Sequence, residues 1–259
     1  MNKKSSTLLS AVTFFISSLV LLPTFAANTD VTAVAKNTKI EKNLEKVNVN
    51  DVEKIHVKSI ENNIIKPLDN APNTSATYKK ELINKLSQIK QFSATFTQEV
   101  IDNTGNVLQR GGGSLAVKRP NLVHWETTSP DESLIVSDGK SIFLFDPFIE
   151  QVTAYKLDGA IANTPILLIT SDDPLLWEQY SVSRLSNNNF VIYNNEPNSR
   201  IKSLKINFSD EGKLSGFTFL DVTGQLSKVE LTKVDLSTDL AASLFTFTVP
   251  EGVYLDDQR

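Results

Sequence analysis

From residue 92 onward, apolar and polar positions alternate along most of this chain, and the alternation predicts a β protein. Phe92, Ala94 and Phe96 take turns with Ser93, Thr95 and Thr97, the period of two expected of a strand with one buried face. Asn103-Thr-Gly-Asn106 supplies a turn. A second strand leads from Val107 into Gly111-Gly-Gly-Ser-Leu-Ala-Val-Lys-Arg-Pro-Asn-Leu-Val-His-Trp125, which reads as two strands joined by a kink. Further strands follow at 134–136, 142–145 and 150–155, separated by Ser137-Asp-Gly139 and Asp146-Pro147. In the C-terminal half, Leu204, Ile206 and Phe208 alternate with Lys205 and Asn207. Phe217 and Phe219 share a face, and Val229 and Leu231 alternate with Lys228 and Glu230. Phe245, Phe247 and Val249 form the last expected strand. Many short antiparallel strands with regular turns mean a barrel or a sandwich.

Two segments break this rhythm. Residues 78–92 carry Leu82, Ile83, Leu86 and Ile89 at helical spacing with lysines opposite, an amphipathic helix that lays one stripe on the sheet. Residues 163–170 read Asn-Thr-Pro-Ile-Leu-Leu-Ile-Thr. Asn163 or Thr164 can cap a helix there, and Pro165 suits its first position. The four aliphatic residues that follow leave no polar side. Such a helix must be covered all round, or sit where something apolar comes and goes.

Arg119 is the exception within the strand pattern. Leu115, Val117 and Arg119 share one parity, and Pro120 keeps Arg119 extended, so a guanidinium follows two apolar side chains onto an interior face. A buried charge without partners is costly, so Arg119 requires acceptors from elsewhere in the chain. The unpaired carbonyls at the end of the 165–169 helix are the expected acceptors. Each hydrogen bond to a charged group contributes about 1.5–3 kcal/mol, enough to hold a lid and small enough to release it.

Composition narrows the function. The chain has 259 residues, no cysteine and a formal net charge of −4. Mild acidity argues against nucleic acid as a partner. The absence of cysteine removes disulfides, thiolate metal sites, thiol nucleophiles and lipid attachment through an N-terminal cysteine. His56 and His124 are the only histidines, and neither has the spacing of a metal pair or a triad. No catalytic residue, metal or cofactor is therefore expected. Asp172 and Asp173 read as solvated loop carboxylates. Lys3 and Lys4, the apolar stretch 8–22 and Thr24-Phe-Ala26 read as a signal peptide over residues 1–26, cleaved after Ala26. Residues 27–77, rich in Asn, Lys, Glu and Thr, read as a polar, flexible extension, and 78–259 as the folded domain.

Five stretches together resemble the LolA family of periplasmic outer-membrane lipoprotein carriers: Phe92-Ser-Ala-Thr-Phe-Thr-Gln98, Val117-Lys-Arg-Pro-Asn-Leu122, Ser133-Leu-Ile-Val-Ser-Asp-Gly139, Asn163-Thr-Pro165 and Phe245-Thr-Phe-Thr-Val-Pro-Glu-Gly252. They come in the family's order and span nearly all of the expected domain. The resemblance implies a mainly β fold, an unclosed antiparallel half-barrel with short α-helices forming a lid over an apolar cavity. It implies a monomeric periplasmic chaperone. Such a chaperone takes the acyl chains of lipoproteins released by an ATP-driven inner-membrane transporter and passes them to a LolB-like acceptor at the outer membrane. By motif match, Arg119 is the lid latch, bonding to backbone carbonyls, and Pro165, Ile166, Leu167, Leu168 and Ile169 form the lid helix. The lack of cysteine separates the chain from LolB. Two departures stand out: the extension at 27–77, and Ala116 where a larger, often aromatic residue is expected.

The physical need for a carrier stands beside the resemblance. Burial contributes about 0.8 kcal/mol per CH₂, so exposing one long acyl chain to water costs on the order of 12 kcal/mol. The candidate lining is aromatic: Phe92, Phe96, Trp125, Phe143, Phe145, Phe217, Phe219 and Phe247. Each would serve equally as an ordinary core residue of a closed fold. The rival reading is a lipid- or lipoprotein-binding sensor on a similar half-barrel, without transfer activity.

Overall fold

The period-2 segments from Phe92 to Leu231 become strands of a single twelve-stranded sheet, which also takes in Tyr180–Ser186, Asn189–Asn194 and Tyr254–Asp257, and the helical segments lie against it. The computed structural model describes residues 72–160, 164–197 and 199–259. All of these belong to the second of the two units, residues 65–259, into which the chain divides. The expected signal peptide, most of the expected extension, His56 and the candidate cap Asn163 lie outside the described residues.

Helix α1 (Pro72–Gln88) begins within the expected extension and is longer than the predicted 78–92 helix. Tyr78, Leu82 and Leu86 are its buried stripe, at spacings of four, and Phe92 already belongs to the first strand. The strands follow as β1 (Gln91–Ile101), β2 (Val107–Lys118), β3 (Leu122–Ser129), β4 (Ser133–Asp138), β5 (Ser141–Asp146) and β6 (Gln151–Lys156). Two short helices, α2 (Leu157–Ala160) and α3 (Pro165–Thr170), and a 3₁₀ turn (Leu176–Gln179) then interrupt the sheet. It resumes with β7 (Tyr180–Ser186), β8 (Asn189–Asn194), β9 (Ile201–Phe208), β10 (Leu214–Asp221) and β11 (Leu226–Asp235). A second 3₁₀ turn (Ala242–Phe245) precedes β12 (Tyr254–Asp257).

The strand order is β12-β6-β5-β4-β3-β2-β1-β11-β10-β9-β8-β7, with β12 and β7 at the two edges, so the sheet is unclosed. Neighbours run antiparallel except β12, which lies parallel to β6. The last strand is therefore Tyr254–Asp257 and not the expected 245–249. Phe245 and Phe247 spend their apolar surface flat against the sheet: Phe245 is buried with Ala116 and Leu240, and Phe247 stacks on Phe143 at 5.3 Å. The smaller Ala116 leaves room on that face for this segment.

Register shows which side chains share a face. Phe96 sits opposite Leu231, Leu115 opposite Trp125, and Val229 opposite Phe217, which places Phe96, Trp125 and Phe217 on one face. Trp125 is on β3 and Phe217 on β10, four strands apart in the sheet. In a flat sheet that separation is about 19 Å. The rings are 6.0 Å apart, so the sheet curls tightly around this face. Close backbone crossings permit the curl. A Cβ on Gly113 would lie 1.8 Å from the Glu126 carbonyl oxygen, and the β2–β3 register shifts between Gly112 and Gly113.

The Gly113→Ala variant should therefore lose about 3 kcal/mol of unfolding free energy in urea, the upper end of overpacking costs, because a backbone clash cannot be relieved by a rotamer change. Gly159→Ala in α2, where the added Cβ meets nothing within 4 Å, should be neutral or slightly stabilising.

Candidate functional site

The inner face of the curled sheet is lined by apolar side chains and covered by helices. Phe96, Trp125 and Phe217 form its aromatic centre, with Phe96 and Trp125 only 4.4 Å apart, and Phe92 and Phe219 share the face. Helix α1 covers the β7–β9 side, where Arg184 stacks on Tyr78 at 4.8 Å and Lys85 lies over Phe208 at 5.6 Å. Helix α3 lies against β3 and faces β7–β9. Ile166, Leu167, Leu168 and Ile169 are each at most 4% exposed, as a helix without a polar side requires. Between α3 and β7–β9 a gap remains, lined by Pro165, Leu168, Tyr180, Ile192 and Leu204 among others. It measures about 10 Å³, room for roughly one water. Burial pushes the Tyr180 phenol above its ordinary pKa.

Arg119 reaches this helix from the end of β2. Its Nη1 donates to the Ile169 carbonyl at 2.6 Å, its Nη2 to the Ser171 carbonyl at 2.8 Å, and its Nε to Asp172 Oδ1 at 2.9 Å. Only 7% of the Arg119 side chain is exposed, against 55% for Asp172. The two carbonyls are therefore the enclosed part of the arrangement and the carboxylate its solvent-facing part. The carbonyls at the end of α3 are all paired. Leu167 accepts from the Thr170 hydroxyl, Leu168 from the Ser171 amide, Ile169 and Ser171 from Arg119, and Thr170 from the Asn121 amide. A helix end normally leaves its last carbonyls to water. Here the turn between β2 and β3 satisfies three of them, through Arg119 and through Asn121 at φ 58.

The family model described as outer membrane lipoprotein carrier protein LolA matches residues 87–248, which span β1 to β11 and the 3₁₀ turn after it. The chain belongs to the LolA family. It is 42% identical to the outer-membrane lipoprotein carrier protein of Aeromonas salmonicida over 178 residues, 69% of this chain and 88% of that protein. It is likewise 42% identical to the protein of the same name from Photorhabdus laumondii over 184 residues, 71% of this chain and 90% of that one. Among solved structures, a LolA superfamily protein from Nitrosomonas europaea aligns over 66% of this chain and 98% of its own, with a TM-score of 0.41 and 12% identity.

Within this LolA-family domain, the eight aromatic candidates divide between two faces. Phe92, Phe96, Trp125, Phe217 and Phe219 are on the inner face. Phe143 and Phe145 pair with Val136 and Leu134 of β4 on the outer one, where both lie against Phe247. Strand parity alone could not separate them, because Ile142-Phe-Leu-Phe145 is apolar at every position. His124 is also on the outer face, donating from Nδ1 to the Leu244 carbonyl at 2.9 Å. Among the described residues no three His, Cys, Asp or Glu side chains gather as a metal site would require, and no helix is long and apolar enough to cross a membrane.

Three contributors to the Arg119 cluster were not expected from sequence. Asp172, read as a solvated loop carboxylate, pairs with Arg119. Ser171 contributes its carbonyl, and Asn121 contributes its amide. A turn asparagine directly after Arg-Pro was the one available signal, since asparagine tolerates the left-handed conformation it adopts. Asp172→Asn should speed amide exchange at 169–172 less than tenfold, since a half-exposed ion pair contributes about 1 kcal/mol or less. Salt should reproduce most of that effect in the unmutated protein and little of it in the variant.

Proposed function

We propose that this protein carries acylated lipoproteins through the periplasm, with the inner aromatic face as the acyl site and α3 as its lid. In this reading it is a chaperone without catalysis. It receives lipoproteins from an ATP-driven transporter at the inner membrane and releases them to a LolB-like acceptor at the outer membrane. Membership of a carrier family supports the reading, and one observation carries it. An all-apolar helix is held against the inner, apolar face of the sheet by a cation that grips backbone carbonyls.

The energies fit an exchange. Burying a Leu or Ile side chain contributes roughly 1.5–3 kcal/mol, so the four aliphatic side chains of α3 hold on the order of 6–12 kcal/mol of apolar burial. An acyl chain leaving a membrane must recover about 12 kcal/mol. If the chain takes the place of α3 on the inner face, and α3 covers the chain, little apolar surface meets water at any step. The net cost of opening is then mostly the loss of the Arg119 bonds, each about 1.5–3 kcal/mol. A site lined by apolar groups with few hydrogen-bond donors holds hydrocarbon firmly without choosing among protein cargoes.

Uptake is tested by mixing the purified protein with membranes that hold a lipoprotein and the ATP-driven releasing machinery. A soluble one-to-one complex is expected. Acyl-probe binding without lipoprotein uptake would favour a sensor, and binding of neither would reduce the inner face to ordinary core. In Arg119→Leu, amide exchange over 165–171 should accelerate by about tenfold or more, the equivalent of one charge-assisted hydrogen bond. Unloading to the acceptor should slow, because the closed state no longer displaces the acyl chain. Unchanged exchange at 165–171 would remove Arg119 from the role of latch.

A further inference from the structure

We infer that Lys79 is a second positioning residue for the lid, fixing the end of the lid segment that stays in place when α3 moves. The inference rests on the carrier reading for the motion itself. It adds a residue and a division of labour that the latch alone does not contain.

The segment that bears α3 rejoins the sheet through the 3₁₀ turn before β7, and that junction is gripped independently of Arg119. Lys79, on α1, donates from Nζ to the Trp177 carbonyl at 2.9 Å. The same carbonyl accepts the Tyr180 amide. Trp177 is 4% exposed, and its ring meets Tyr180 edge-on at 6.2 Å. Helix α1 is itself tied to β7. The Val182 amide donates to Ser75 Oγ at 3.2 Å, Arg184 Nη1 lies 3.1 Å from Glu81 Oε2, and the Arg184 guanidinium covers the Tyr78 ring. Lys79 thus connects the end of the lid segment to a helix anchored on the edge strand.

The two cations act on opposite ends of a short bridge. Arg119 holds residues 169–172, the end of α3, and Lys79 holds Trp177. Between them Asp173, Pro174 and Leu175 are exposed and bonded locally: the Leu175 amide to Asp173 Oδ1 at 2.9 Å and the Trp177 amide to the Pro174 carbonyl at 3.2 Å. Few-residue, solvent-exposed junctions of this kind absorb the backbone change of a hinge. Releasing Arg119 frees the helix that carries the apolar side chains. Lys79 and buried Trp177 keep the far end seated, so α3 returns to the same place against the inner face. Both cations grip backbone carbonyls, so neither grip depends on which side chains the lid presents to the acyl chain.

Amide hydrogen exchange on the purified protein tests the inference. In Lys79→Met, exchange of the amides of Glu178 and Tyr180 should accelerate about tenfold, the size of one charge-assisted hydrogen bond. Lys79→Arg, which keeps a cationic donor, should restore most of that protection. In Arg119→Leu, exchange should rise at 165–171 while 178 and 180 stay within about twofold of the unmutated protein, because their grip is separate. An unchanged Glu178 and Tyr180 in Lys79→Met would overturn the inference. So would a uniform rise across α1 and β7–β9, which would make Lys79 a plain folding contact. If the expected exchange pattern appears in a protein that takes up no lipoprotein, the pivot stands and the carrier reading fails. If lipoprotein is carried and 178–180 ignore Lys79→Met, the pivot alone fails.

Discussion

A guanidinium placed on an apolar face must find acceptors or leave that face, and most of this structure's functional geometry follows from that constraint. Arg119 arrives on the inner face because it shares parity with Leu115 and Val117. The acceptors come from the end of α3, a helix too short and too apolar to exist without cover. Each element supplies what the other lacks. The helix needs its last carbonyls paired and its four aliphatic side chains buried. The cation needs carbonyls, and the curled sheet needs its aromatic centre covered.

In the proposed carrier reading, this dependence would be reversible in a way that an apolar core is not. Contacts among Phe96, Trp125 and Phe217 are non-directional, and any hydrocarbon of suitable shape can replace a neighbouring side chain at little cost. The bonds from Arg119 are directional, few and confined to one helix end. A lid built from many dispersed contacts would release gradually. In the carrier reading, a lid gripped mainly by a single cation would release within a narrow free-energy range, and its apolar side chains would remain available to cover what enters. Curvature makes this possible. Glycines at the tight backbone crossings, Gly113 above all, let a sheet of twelve strands bring β3 and β10 within ring contact without closing into a barrel.

The outer face has a different task. Ala116, Leu240 and Phe245 pack together there, and Phe247 lies against Phe143 and Phe145, so the stretch from Leu240 to Phe247 covers the back of the sheet before the chain adds its last strand, β12. The sheet is thereby covered on its outer face from Ala116 of β2 to Phe143 and Phe145 of β5, while the outer positions of β1 and β11, Thr95, Thr97, Lys228 and Glu230 among them, stay exposed. Apolar residues on a strand can thus belong to the inner face or to the outer one, and only the partner strand decides which.

Much of this was legible in the sequence because it depends on local periodicity. Alternation gave the β class and most strands. Pro165 followed by four aliphatics gave α3, and the parity of Leu115, Val117 and Arg119 put the guanidinium on the inner face. The motif set gave the family. The sequence also contained the demand for acceptors, since a buried charge is a physical requirement wherever it occurs. Which atoms meet the demand was decided by tertiary structure. Asp172 and Asn121 lie 53 and 2 residues from Arg119 along the chain, and nothing local distinguishes Asp172 from any exposed loop aspartate. The division of the phenylalanines between faces was likewise out of reach, because Ile142-Phe-Leu-Phe145 is apolar at every position. The last strand was misplaced for a related reason: Phe245, Phe247 and Val249 alternate as a strand would, yet that stretch lies flat on the sheet. Periodicity reports that a side chain is buried, whereas the identity of what buries it depends on contacts between residues far apart in sequence.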